Sequence, residues 1–262
     1  MKVTFLGAGL YGEALGKMAE LNDHEIKYYD PYKFPDIKIE DAISEAEAVV
    51  YVAPAVVYQE ILPKLSKKTP LILASKGFVS MKPFEEFENF SVLSGAAFAE
   101  DLMEAKHLVR LTASSEISEQ IFTTDNLTIE FSKDTKGIML CGALKNVYAI
   151  GAGILIDKEY PEQYFSEAFL EMQDILKANG AEENTATLSC GLPDLLLSST
   201  SDGRNYRYGR EIRNHPKSQI EPVGTVEGVT VIESLKDFPD FIIPEDADLI
   251  KEIIKKVANA TK

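Results

Sequence analysis

Between Gly137 and Ile156 the only strongly polar side chains are Lys145 and Asn146, side by side in mid-segment, and this apolar run limits what the chain can become. Its length approaches the ~20 apolar residues of a membrane span. A central lysine, however, costs roughly 2.5–3.5 kcal/mol on insertion scales, and the asparagine adds to that penalty. Gly142, Gly151 and Gly153 further weaken the run as an isolated helix. The expectation is therefore a buried helix with no membrane insertion. An ammonium among Ile138, Met139, Leu140, Val147, Ile150 and Ile154 is costly to desolvate unless a partner compensates. Desolvation also depresses a lysine pKa, the property that proton-transfer chemistry uses. Within this segment alone, a structural ion pair accounts for Lys145 equally well.

A length of 262 residues accommodates one large domain or two ordinary ones, and 45% hydrophobic content reads as globular. With 27 basic and 42 acidic residues the net charge is −15, which repels nucleic acid and anionic membrane, so neither is an expected partner. The excess charge itself is explained by solubility. Cys141 and Cys190 have neither metal-ligand nor disulfide spacing and read as packing residues, while His24, His107 and His215 are dispersed, so no metal site is expected. The segment Met1–Leu6 runs straight into a strand pattern without a signal peptide, and the expected location is cytoplasmic.

The first half alternates strand and helix signals. Short apolar runs at Val3–Leu6, Glu25–Asp30, Ala48–Val52, Leu71–Ala74, Ser91–Ser94, Leu108–Ala113 and Leu127–Phe131 predict strands. The predicted class is α/β: an N-terminal Rossmann-type, mostly parallel sheet over residues 1–132, then an all-helical domain over residues 133–262. In the second half, Ser166–Asn179 reads as a helix closed by Gly180.

Gly7-Ala8-Gly9-Leu10-Tyr11-Gly12 follows the first strand and opens a helix over Glu13–Leu21. The glycines permit a tight turn and let the backbone approach a pyrophosphate at the helix start. Asp30 ends the next strand, 18 residues beyond Gly12, in place to accept hydrogen bonds from ribose hydroxyls. Its carboxylate repels a 2′-phosphate, which favours NAD; the nearby Lys33 softens that preference and leaves NADP admissible.

Two clusters follow in the helical half. Gly191-Leu192-Pro193-Asp194 precedes a turn that puts Ser198 on the helical face of Asp194. Asp202-Gly203-Arg204-Asn205 is a turn running into a basic helix, where an arginine and free backbone amides suit a phosphate. Taken singly, Asp194 reads as a helix cap and Arg204 as a solvated arginine.

In order along the chain, Gly7–Gly12, Ala53-Pro54, Ser75-Lys76-Gly77, Ser94–Glu100, Gly142-Ala143-Leu144-Lys145-Asn146, Glu171-Met172, Gly180-Ala181, Asp194-Leu195, Gly203-Arg204-Asn205 and Val226-Glu227-Gly228 resemble the NAD(P)-dependent glycerol-3-phosphate dehydrogenases. The resemblance implies that Lys145 is the general acid/base at the substrate C2 oxygen, with Lys76 as a second active-site lysine and Asp194 holding Lys145. It implies that Asn146 and Ser198 hydrogen-bond the substrate, that Gly203, Arg204 and Asn205 take its phosphate, and that Arg204 also lies near the cofactor. Pro54, Ala99 and Glu227 occupy cofactor-contacting positions. The implied activity is hydride transfer between NAD(H) and dihydroxyacetone phosphate, feeding glycerophospholipid synthesis, in a homodimer with a small phosphorylated substrate. This chain is shorter than is usual for the family, has Ala96 where relatives have proline, and has Ser198 where they have threonine. Another small ketone or hydroxy acid as substrate, and a non-catalytic dinucleotide sensor, are the alternative readings.

Overall fold

The structure, a computed structural model, describes residues 1–104, 107–156, 161–200, 203–215 and 225–261. It contains two compact units, residues 1–75 with 81–135 and residues 76–80 with 136–262. The segment 76–80 therefore belongs with the helical unit, although it follows a strand of the first unit in sequence.

The first unit contains β1 (Lys2–Leu6), α1 (Leu10–Leu21), β2 (Glu25–Tyr29), α2 (Ile39–Ile43), β3 (Ala48–Tyr51), α3 (Tyr58–Ile61), β4 (Leu71–Leu73), β5 (Phe90–Ser94), α4 (Ala99–Glu104), β6 (Val109–Ala113), α5 (Glu116–Phe122) and β7 (Leu127–Phe131). The strands form one sheet in the order β2-β1-β3-β4-β5-β6-β7. The strands from β2 to β5 pair in parallel, β5 pairs with β6 antiparallel, and β6 pairs with β7 in parallel. β3 and β4 are buried along their whole length, as expected of central strands covered on both faces, whereas the edge strand β2 is only half-buried. Val3, Phe5, Leu15, Val50, Ile72, Leu93, Leu111 and Phe122 form the core of this unit. β1 lies between β2 and β3, so the strand order reverses there, and in open α/β sheets the crevice beyond such strand ends is where ligands bind.

Each strand lies within one residue of its sequence-predicted bounds at either end. Helix starts differ more. The first helix begins at Leu10 rather than Glu13, because Gly9 already serves as its cap, and the predicted Ser166 helix begins at Pro161, a residue preset for the first helical position.

The second unit is built on α6 (Thr135–Leu155), followed by α7 (Pro161–Ala178), α8 (Leu192–Ser198), α9 (Arg204–Asn214), α10 (Glu227–Ser234) and α11 (Asp248–Thr261). Every residue from Gly137 to Ile154 is buried, so α6 has no polar face and is the core of its unit. By length and composition it passes as a membrane span, but 94% of its apolar window is buried within the protein. Its glycines mark where neighbours approach. A Cβ on Gly153 would stand 2.2 Å from the Tyr206 carbonyl oxygen, and one on Gly209 would stand 2.0 Å from that of Ile150. The backbones of α6 and α9 thus touch across two glycines. On α7, the Glu171 carboxylate accepts hydrogen bonds from the Leu249 and Ile250 N–H groups at the start of α11, at 2.7 and 3.0 Å, and from the Tyr148 hydroxyl of α6 at 3.0 Å. Burial raises the pKa of that carboxyl, against the pull of those donors.

Because the obstructing atoms at Gly153 and Gly209 are backbone, Gly153→Val and Gly209→Ala should each lower stability by about 1–3 kcal/mol. Thermal denaturation reads this directly; a melting temperature unchanged in both variants would contradict the close α6–α9 crossing.

Candidate active site

In the first unit, the loop between β1 and α1 is shaped by its surroundings. Gly7 has φ of 111°, and a Cβ there would stand 2.9 Å from the Ala53 nitrogen, so the β1 loop and the Ala53-Pro54 loop pack backbone to backbone. Gly9 is different: nothing lies within 4 Å of the place its Cβ would take, and no side chain caps α1. That leaves an open cradle at a helix start, where the free N–H groups and the dipole favour an anionic group. These residues fit the pyrophosphate of a dinucleotide. Leu10 is exposed beside the cradle, Tyr11 is half-buried, and Gly12 is buried under the loop.

Asp30 stands at the end of β2 and is bound from two sides. Its carboxylate accepts the Ala8 N–H at 2.9 Å, the Tyr32 N–H at 3.0 Å and the Lys33 N–H at 3.1 Å. Desolvation pushes its pKa up, but these three donors and the Lys33 charge outweigh it and hold Asp30 below its ordinary value. An ionised carboxylate has about four acceptor positions, so capacity remains for a ribose hydroxyl. Lys33 donates to the Ala8 carbonyl at 3.1 Å and pairs with Glu13. This Glu13–Lys33 pair has no signal in sequence, since no periodicity links the two positions. Pro54 is exposed and accepts the Tyr51 hydroxyl through its carbonyl, and Ala99 opens α4.

In the second unit, the chemistry-bearing residues converge on Asp194, in the first turn of α8. Asp194 is 1% exposed and lies between two ammonium groups, Lys76 at 2.7 Å and Lys145 at 3.2 Å. Lys145, 6% exposed, also donates to the Ser198 hydroxyl at 2.6 Å, and Ser198 donates back to Asp194 at 3.3 Å. Their spacing of four residues puts Asp194 and Ser198 on one helical face, as the sequence predicts. Burial drives the Lys145 pKa below the usual lysine value; the Asp194 charge opposes this, and the Lys76 charge adds to it.

Asn146 extends the cluster. Its Nδ2 donates to the Lys76 carbonyl at 3.0 Å, the Gly142 carbonyl at 3.2 Å and Glu227 Oε2 at 3.1 Å. Asn205 Nδ2 donates to Asn146 Oδ1 at 2.8 Å, and Asn205 Oδ1 accepts the Gly228 N–H at 2.9 Å. Gly203 caps α9 without a side-chain hydrogen bond, and Arg204 follows it, exposed and without an ion pair among the described residues. Asp202, the first residue of that predicted turn, lies outside the described residues.

The second unit thus gathers Lys76, Lys145, Asn146, Asp194, Ser198, Asn205 and Glu227 into one hydrogen-bonded network, with Gly203 and Arg204 at its α9 end. Gly7–Gly12, Asp30, Pro54 and Ala99 belong to the first unit. Three participants have no sequence signal of their own: the Lys76 and Gly142 carbonyls and the Gly228 N–H are backbone groups. A buried lysine, a shared carboxylate and an exposed arginine at a helix start together suit acid/base chemistry beside an anionic substrate.

Comparisons with known proteins give the chain's relatives. Residues 134–259 match the family model described as NAD-dependent glycerol-3-phosphate dehydrogenase C-terminus. A glycerol-3-phosphate dehydrogenase (NAD(P)+) of Oceanobacillus iheyensis is 29% identical over 90% of this chain and 84% of its own length. That of Teredinibacter turnerae is 26% identical over 92% and 86%. Among solved structures, a glycerol-3-phosphate dehydrogenase from Coxiella burnetii shares the fold with a TM-score of 0.83, at 16% identity and with 98% of each chain covered. With the helical part matched and relatives that span both units, the chain is similar along most of its length to the NAD(P)-dependent glycerol-3-phosphate dehydrogenases.

Proposed function

We propose that the protein interconverts dihydroxyacetone phosphate and sn-glycerol 3-phosphate, with NAD(H) as the favoured cofactor, in the service of glycerophospholipid synthesis. The observation that carries this reading is the buried Asp194 shared by Lys76 and Lys145, in a network whose α9 end presents the exposed Arg204. The cradle at Gly9 and the Asp30 carboxylate would hold the dinucleotide, which when bound supplies the hydride.

Each residue then has a defined task. Lys145 delivers a proton to the C2 oxygen of the ketone as negative charge develops there, and its depressed pKa lets that proton leave readily. Lys76 polarises the same carbonyl. Asp194 holds both ammonium groups in place, and Ser198 and Asn146 offer hydrogen bonds to the substrate oxygens. Arg204 and the helix start of α9 take the phosphate, and binding at that end orients the reacting carbon. A sensor would have no need of a buried lysine pair. The same reading expects a homodimer in the cytoplasm.

Purified protein should oxidise NADH rapidly with dihydroxyacetone phosphate and far more slowly with unphosphorylated dihydroxyacetone. Arg204→Ala should raise KM for the phosphorylated ketone much more than KM for NADH. Equal turnover of both ketones by the wild type would remove the phosphate role.

Lys145→Met should lower turnover by roughly 10²–10⁴-fold while NADH binding and folding survive. The pH dependence has a definite sign. Reduction needs protonated Lys145, so kcat/KM for the ketone should fall as pH rises through the depressed lysine pKa. Oxidation of glycerol 3-phosphate needs the neutral amine, so it should rise through the same pH. Profiles that lack these opposed limbs would assign the proton to another group.

A further inference from the structure

Lys33 brings a positive charge to the edge of the proposed ribose site, yet that charge is already engaged. Its main-chain N–H donates to Asp30 Oδ1 at 3.1 Å, so the side chain starts at the carboxylate expected to hold the ribose hydroxyls. A lysine rooted there could turn its ammonium to a 2′-phosphate and offset the repulsion of Asp30. Instead it folds back over the loop after β1, where it donates to the Ala8 carbonyl at 3.1 Å and pairs with Glu13. The loop itself places Glu13 for this. Glu13 directly follows Gly12, and its N–H donates to the Gly9 carbonyl at 2.9 Å, in the first turn of α1. Stability does not account for the pair, because the two side chains are 48% and 40% exposed and such pairs contribute little. A carboxylate in the first turn suits the helix dipole, but it also stands beside the N–H groups proposed for the pyrophosphate, where a further negative charge opposes binding. Pairing with Lys33 cancels that charge.

We propose that Glu13 determines the choice of dinucleotide: by holding the Lys33 ammonium over Ala8 it keeps that cation from the ribose, so that NAD(H) is favoured over NADP(H). Asp30 rejects a 2′-phosphate by like charge, and Glu13 withholds the cation that would offset the rejection. The same lysine therefore serves opposite preferences according to its partner: bound to Glu13 it braces the loop, and released it would answer a phosphate. This assignment rests on the reading of the Gly9 cradle and Asp30 as the dinucleotide site, and it leaves the substrate end of the protein untouched.

The test is a double-mutant cycle on binding, with no ketone present: calorimetric Kd values for NADH and NADPH in the wild type, Glu13→Gln, Lys33→Ala and the double variant. Both dinucleotides share the pyrophosphate, so the ratio of the two Kd values isolates the 2′-phosphate from the general loss of a negative charge. The wild type should bind NADH more tightly. Glu13→Gln should shift the ratio toward NADPH by roughly three- to tenfold, the scale of one partly exposed charge acting on a phosphate. In the Lys33→Ala background the same substitution should move the ratio by less than about twofold. Glu13→Ala should behave as Glu13→Gln does, and thermal denaturation checks that each variant is folded. An unchanged ratio in both folded Glu13 variants overturns the proposal. So does a shift of equal size in the Lys33→Ala background, which would make it a direct effect of the Glu13 charge. A wild type that binds neither dinucleotide overturns the reading of the cradle itself, and this assignment with it.

Discussion

One carboxylate, that of Asp194, is shared by two lysines, and it decides how the helical unit is put together. A carboxylate with 1% exposure is costly to bury unless its charge is answered, and here two ammonium groups answer it. Removing the carboxylate would leave Lys145 and Lys76 as unscreened neighbours, a loss on the order of 3–5 kcal/mol for a broken buried pair. The constraint runs in both directions. Lys145 is tolerable in the middle of a helix with no polar face only because α8 brings Asp194 and Ser198 to that point. α8 in turn has a fixed place on α6, since sliding it by one turn would strand three polar groups. Burial and then repulsion by Lys76 depress the Lys145 pKa, so the arrangement that holds the fold together also sets how readily this lysine gives up a proton.

Sequence reasoning reached the pieces that periodicity and local chemistry encode. The seven strands follow from short apolar runs with turn signals, and the loop after β1 follows from Gly7, Gly9 and Gly12 between a strand and a helix. Lys145 stands out because a charge inside an apolar run has few explanations. Direction of pairing is another matter: nothing in Leu108–Ala113 distinguishes a parallel strand from the antiparallel β6 that it becomes. Nor could sequence reveal that Lys76–Ser80 clusters with the helical unit, because that membership is created by bonds from Asn146 and Asp194, far along the chain. The glycines of α6 show how one feature carries opposite messages at two levels. Locally they weaken a helix, yet Gly153 is what allows α9 to lie against it, so packing overrides propensity.

The cofactor cradle shows similar economy of charge. Lys33 stands near Asp30 in sequence as a group that softens the repulsion of a 2′-phosphate. In the structure its ammonium is engaged by Glu13 and by the Ala8 carbonyl, while Asp30 holds the Ala8 N–H. Both faces of the Ala8 residue are therefore tied, one by an acid and one by a base, and the loop proposed to receive the pyrophosphate is braced before any ligand arrives. With Lys33 occupied in this way, the Asp30 carboxylate would govern the charge presented to a ribose in the proposed cofactor site.

The network around Asn146 has the property that makes buried polar groups useful: each donor and acceptor in the chain from Gly228 to Lys76 has a partner of the opposite kind. Polarity fixed at both ends by backbone leaves the two amides no alternative orientation of equal energy. An amide that turned over would set oxygen against the Lys76 and Gly142 carbonyls and against Glu227 at once. The network therefore does more than fill space. It ties three helix segments, the starts of α9 and α10 and the middle of α6, to the main chain at Lys76. A residue that belongs by sequence to the loop after β4 is thereby held where the buried carboxylate can use its charge.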